Sequence, residues 1–231
     1  MMVELPSQPL AEIDPEFQKL GLETGGMTFR LPHLSVRQKV LLCLANDICR
    51  GHSALALRLH MQAAMMHGIP FADVLALVRF IAPYAGYAAS ADALAYLGAL
   101  RAQLDPDAAP AAAEPPTVDA DDAADEAPKY GLTSDEWVAG FIDSRTARAW
   151  GENRLSAQER SCVALTADVA NQTLGASFRY HVELALKNGV TPEQVRDVVR
   201  FSSEFGIVKA AAALESLEDV LSLEATPAAT A

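Results

Sequence analysis

The sequence predicts an all-α protein made of two tandem helical repeats. Three observations carry this. First, Leu34-Ser35 returns as Leu155-Ser156, Asp47 as Asp168, and Arg58-x-His60 as Arg179-x-His181. Ala64-x-x-x-Gly68 likewise returns as Ala185-x-x-x-Gly189, and Val78-Arg79-Phe80 as Val199-Arg200-Phe201, all at one offset of 121 positions and without a gap. Repeats at a fixed offset mean repeated structural units. Second, both halves space their apolar residues at helical intervals, and neither contains a credible strand. Third, residues 103–129 are mostly Ala, Pro and Asp, with one Val and one Leu as the larger apolar residues. Such a composition buries too little surface to offset the entropy of ordering. It predicts a disordered acidic linker between repeat 1 (12–102) and repeat 2 (130–222).

The elements follow in order. Ser35 and Ser156 stand at N-cap positions, and Glu159 completes a capping box with Ser156, predicting helices over 35–50 and 156–171. A second pair over 53–67 and 174–188 ends at Gly68 and Gly189, where a left-handed cap suits glycine. The next helices follow Pro70 and Thr191-Pro192, the latter a cap with Pro at the first helical position. Phe80, Tyr84, Phe201 and Phe205 fall on their inner stripe by i, i+4 spacing. Ala-rich helices from Ala88 to Leu100 and from Lys209 to Leu221 close the halves.

Half of the residues are apolar, enough for a real core, but no apolar run approaches a membrane span. Met1 to Leu10 shows no basic stretch leading into an apolar one, so a cytoplasmic protein is expected. The net charge of −12 argues against nucleic acid as a partner. Eight of the acidic residues lie between Asp105 and Glu126, with no Lys or Arg among them. Removing them leaves about −4 for the folded halves, ordinary for a soluble domain. Cys43, Cys49 and Cys162 are an odd set without C-x-x-C spacing, as expected of reduced thiols.

The segment Arg179-Tyr-His181-Val-Glu-Leu-Ala185-Leu-Lys-Asn-Gly189-Val-Thr-Pro-Glu193, with its copy around His60 and the helix ending in Tyr84-Ala-Gly-Tyr87, resembles the carboxymuconolactone decarboxylase family and the related alkylhydroperoxidase D-like proteins. The likeness covers most of both halves. It implies a small helical unit that pairs, three pairs forming a ring, so a tandem chain is expected as a homotrimer with pseudo-hexameric character. The peroxidase branch carries a C-x-x-C whose second Cys lies four residues before the shared His, and an acid one helix upstream. Here those Cys positions hold Ser53 and Ala56 in repeat 1 and Leu174 and Ser177 in repeat 2, and the acid positions fall near Val40 and Ser161. Without a nucleophilic thiol there, peroxidase chemistry is disfavoured. Cys49-x-x-His52 sits four residues too early, and repeat 2 has Ala170 and Thr173 in its place. Its spacing fits no standard metal site, and neither a metal nor another cofactor is expected.

His60 and His181 are the candidate catalytic residues, because a ring that titrates near neutrality suits general acid–base work. The bland alternative is a core histidine bonded to a backbone carbonyl. Repeat 2 keeps Ser177 one turn before its His, where a hydroxyl could bind substrate or fix the ring tautomer. Repeat 1 has Ala56 there, and Met61, Met65 and Met66 beside His60, so His181 is the better candidate. Arg58 and Arg179 lie about 200° around the helix from their His, so each makes a structural ion pair or reaches a neighbouring unit's pocket. Arg79 and Arg200 are further candidates for gripping a substrate carboxylate. Asp47 and Asp168, mid-helix in apolar surroundings, are expected to pair with one of these arginines.

These readings make the expected function that of a cofactor-independent decarboxylase or lyase. It would act on a small carboxylate-bearing lactone or keto acid by His acid–base catalysis. The alternatives are a non-catalytic ring-forming helical scaffold and, third, an alkylhydroperoxidase-like antioxidant protein using an atypical Cys such as Cys49.

Overall fold

In the computed structural model, residues 9–115 and 128–224 are described. Those residues form ten α-helices and three short 3-10 turns, with no strand among them. Repeat 1 contributes α1 (Pro15–Thr28), α2 (Val36–Arg50), α3 (Leu55–Met66), α4 (Phe71–Ala85) and α5 (Tyr87–Leu104). Repeat 2 contributes α6 (Glu136–Trp150), α7 (Ala157–Asn171), α8 (Ala176–Lys187), α9 (Pro192–Phe201) and α10 (Ile207–Glu224). The expected caps are present. Ser35, Ser156 and Thr191 each close a capping box, with Gln38, Glu159 and Gln194. Gly68 and Gly189 take φ of +68° and +80°, a region that costs other residues about 1–2 kcal/mol. Two helices were not expected: α1 starts on an Asp14 cap with Pro15 behind it, and α6 on Asp135.

The molecule is organised around α2 and α7, which pack on each other across a pseudo-twofold axis. Both are buried on every side, from Lys39 to Ile48 and from Glu159 to Ala170. A helix buried all round must satisfy whatever polar groups it carries. Lys39 gives its ammonium to the carbonyls of Phe29 (2.8 Å) and Leu31 (2.6 Å), just past the end of α1. Its counterpart Arg160 bonds the carbonyls of Glu152 and Leu155 just past α6. Each buried cation thus meets the negative end of a helix dipole.

The first helix of each repeat packs on the opposite repeat. Helix α6 lies on α4, and α1 lies against the 3-10 turn Ser202–Phe205 that continues α9. Trp150 meets Phe80 edge-on at 5.3 Å, and the counterpart Phe29 meets Phe201 at the same 5.3 Å. Ion pairs cross in the same sense. Arg154 reaches the fully buried Asp73 at 3.0 Å, and His33 reaches Asp197 at 2.9 Å. The two repeats therefore share one core, and cavities beside α4 have walls from both.

The linker reading needs one correction. Residues 116–127 lie outside the described set, but Glu114, within the stretch expected to make no core contacts, is firmly held. It pairs with Arg101 at 2.5 Å and accepts the Ala72 backbone N–H at 3.1 Å, while Arg154 donates to its carbonyl at 2.9 Å. One carboxylate meeting a helix N-terminus and an arginine is enough to order an otherwise poor core former.

Candidate active site

In repeat 2, α7 ends in a turn at Gln172, whose φ of +59° makes it the one described non-glycine residue in the left-handed region. Repeat 1 has Gly51 at the matching turn (φ +68°). This reversal lays α8 back along α7 and sets His181 opposite Asp168. The carboxylate is held by three donors: Thr173 Oγ1 (2.5 Å) and Ser177 Oγ (2.8 Å) on Oδ1, and His181 Nδ1 (2.5 Å) on Oδ2. A carboxylate so held fixes the ring with Nδ1 protonated and leaves Nε2 to face outward.

His181 Nε2 meets the Tyr130 hydroxyl at 2.6 Å, and Tyr130 meets the Tyr84 hydroxyl at 2.6 Å. Trp150 Nε1–H donates to Tyr84 at 2.8 Å. With a neutral ring every donor runs toward His181: Trp150 to Tyr84, Tyr84 to Tyr130, Tyr130 to Nε2. With an imidazolium, Nε2 donates to Tyr130 and Tyr130 to Tyr84, which frees the Tyr84 proton. The array can therefore pass a proton either way without moving a heavy atom. Burial pushes both phenols above their ordinary range, so they stand as O–H donors.

Beside the array opens a cavity of about 160 Å³. Tyr84, Tyr130 and Ser177 form its polar end, and Pro83, Leu132, Phe141 and Ile142 its apolar wall. Arg145 and Thr146 of α6 complete it. His181 itself is fully buried, so a ligand there would touch the phenols with the imidazole behind them.

The expected arginines are elsewhere. Arg58 and Arg179 are exposed and make no ion pair among the described residues. Arg79 is tied to Glu152 (2.6 Å), and Arg200 to Asp197 (2.9 Å). The pairing expected for Asp47 and Asp168 is also corrected: each binds the His thirteen residues later, not an arginine. The physical reason is the α7–α8 and α2–α3 reversals, which bring imidazole and carboxylate together inside the core while the arginines face out. Sequence reasoning missed Tyr130 and Arg145. Tyr130 directly follows the linker stretch, and Arg145 lies on the unexpected α6. The Phe141/Arg145 and Ile142/Thr146 spacing was the available signal for that helix.

Repeat 1 holds the same pair without the relay. His60 Nδ1 lies 2.5 Å from Asp47 Oδ2, but Phe205 replaces Tyr84 and supplies no hydroxyl. Ala56 stands where Ser177 does. Cys43 is within hydrogen-bonding reach of the ring, and burial pushes its thiol up. Burial alone would lower the His60 pKa, but Cys43 and Asp47 outweigh it and hold the ring well above 6.5. A raised folded-state value stabilises the protein fully below the unfolded pKa, and that contribution is lost as pH rises through the folded value. Urea unfolding of His60→Gln against the parent should show a stability gap that is largest below the ordinary imidazole range and narrows as pH rises above it. A gap independent of pH would contradict the ion pair. Burial also pushes Cys49 and Cys162 up to about 12, so both stand as thiols.

Residues 15–99 and 135–219 each match the carboxymuconolactone decarboxylase family. The chain belongs to that family. Among solved structures it is similar to a Burkholderia xenovorans LB400 protein described as a "putative gamma-carboxymuconolactone decarboxylase subunit". That likeness has a TM-score of 0.54 at 18% identity and covers 94% of this chain and 92% of the other. At that identity it speaks for the carboxymuconolactone decarboxylase fold alone. No curated protein matches the chain significantly. Among the described residues no helix is long and apolar enough to cross a membrane, and no group of three or more His, Cys, Asp or Glu could hold a metal ion.

Proposed function

We propose that this chain is a cofactor-independent lyase of the decarboxylase type, acting on a small carboxylate-bearing lactone or keto acid in the cavity beside Tyr130. The observation that carries the reading is the Asp168–His181–Tyr130–Tyr84 array, which ends on a cavity that holds an arginine. In a keto acid the bond to the departing carboxylate breaks and its electron pair moves onto the carbonyl oxygen. The Tyr84 and Tyr130 hydroxyls stabilise that developing enolate. Tyr130 then gives its proton to the carbon that lost CO₂ and takes another from Nε2 of His181 in its imidazolium form, which a proton from solvent restores for the next turnover. Arg145 anchors a retained carboxylate, while the departing one lies along the apolar wall, where loss of charge is favoured. In a carboxylated lactone the same loss of CO₂ sends the electron pair toward the lactone carbonyl, and the same groups return the proton to carbon.

A panel of β-keto acids and carboxylated lactones assayed for CO₂ release tests this. Turnover on at least one member is expected, and none on any member would sink the reading. The scaffold reading has one observation in its favour: His181 is fully buried with both ring nitrogens bonded, as in a purely structural histidine.

The chain is also proposed to form a homotrimer. Ile13 just before α1 and Phe17 and Leu20 on it are 82%, 59% and 61% exposed, and Trp137 on α6 is 74% exposed. Apolar surface of this kind marks an association face. Light scattering should give three chains per particle at micromolar concentration, whereas a stable monomer would refute the assembly.

A further inference from the structure

A groove of about 700 Å³ runs between the C-terminal half of α4, the start of α5 and the last turns of α6. That volume lies within the range of small-molecule sites. Its floor is apolar, from Val78 and Ala82, and its rim carries the exposed Tyr87 and Leu94. Three arginines line it: Arg79, Arg145 and Arg148. Glu152 neutralises Arg79 at 2.6 Å. Among the described residues Arg145 bonds only the Ser144 hydroxyl as a polar partner, and Arg148 has no hydrogen bond or ion pair. In a protein with a net charge of −12, two unpaired guanidinia on one groove are a local reversal of sign.

The second observation is Ser90. It is only 4% exposed, lines the groove, and its hydroxyl makes no hydrogen bond. Every other buried Ser or Thr among the described residues is satisfied. Thr28, Thr146, Ser161, Thr166 and Ser202 all donate to a backbone carbonyl three or four residues back. An orphaned buried hydroxyl has lost its bond to water without replacement, so its persistence calls for a partner.

The geometry points to a second ligand site, distinct from the cavity beside Tyr130, that takes an amphipathic carboxylate. Arg148 and Arg145 bind the carboxylate, Ser90 donates its hydroxyl to the ligand, and an alkyl or aryl body covers Val78, Ala82 and Leu94. The inference stands apart from the proposed lyase reaction, because it requires binding and no chemistry. Arg145 lies in the wall of both sites, so the test uses residues that belong to only one of them.

Isothermal titration of the full chain with sodium octanoate should show saturable binding, with octanol and acetate much weaker. Arg148→Ala and Leu94→Asp should each weaken octanoate by about tenfold or more, the loss of a charge-assisted pair or of the apolar seat. Ser177→Ala, in the other cavity, should leave it unchanged. No saturable binding would overturn the inference, including the case in which a second copy of the chain closes the groove. Equal binding by Arg148→Ala would overturn it too, as would binding lost in Ser177→Ala but kept in Arg148→Ala. Arg148 is exposed, so its variant decides the matter should Leu94→Asp fail to fold, which circular dichroism reports.

Discussion

Replacing His181 with alanine is expected to abolish turnover while the protein still folds. Among the described residues the imidazole is the only group linking Asp168 to Tyr130, at 2.5 and 2.6 Å. Removing a positioned acid–base group costs a factor of about 10² to 10⁴ in rate. The stability cost should be about 2–3 kcal/mol, because Asp168 keeps the hydroxyls of Thr173 and Ser177 when its third donor is lost. His60→Ala is expected to affect turnover far less, since its array stops at Phe205. Steady-state rates and urea melts of both variants check this. If His60→Ala were the damaging change and His181→Ala silent, the working site would be in repeat 1. Equal, purely thermal damage from both would favour the scaffold.

The largest loss of stability is expected from Trp150→Ala. This side chain is 2% exposed, packs edge-on against Phe80, and donates to Tyr84. It anchors α6 to the opposite repeat, so its loss leaves a cavity in the shared core and takes one donor from the Tyr84 hydroxyl. Truncation of a buried aromatic costs about 3–5 kcal/mol. For a chain of this size that corresponds to a fall in Tm of roughly 10 °C. Calorimetry reads it directly. A fall of only a degree or two would mean that α6 is held by other contacts and that the helix exchange matters little.

What was legible in the sequence is what local physics decides. The caps at Ser35, Ser156 and Thr191, the glycines after α3 and α8, and the inner aromatics of α4 and α9 depend on residues within two turns of each other. The exchanged helices were harder to read. Helices α1 and α6 bury only narrow faces, and they bury them against the other repeat, so their apolar patterns are weak. The site suffered most. The Asp–His pairs follow from tight reversals at Gly51 and Gln172, and the conjunction of Tyr84, Tyr130 and His181 exists only because the repeats interlock. The repeated arginines drew attention because they recur twice. Recurrence cannot separate a solvent-facing helix position from a site, and α3 and α8 present Arg58 and Arg179 to solvent.

The central claim is that the Tyr130 hydroxyl, backed by His181 and Asp168, moves a proton at the substrate. The most direct measurement compares CO₂ release by Tyr130→Phe with the parent on whichever keto acid or carboxylated lactone the parent turns over. The change deletes one oxygen and keeps the ring that packs on Tyr180 at 4.7 Å. A rate lower by about 10²-fold or more is expected, with the fold preserved. A Tyr130→Phe protein that released CO₂ at the parent's rate would contradict it.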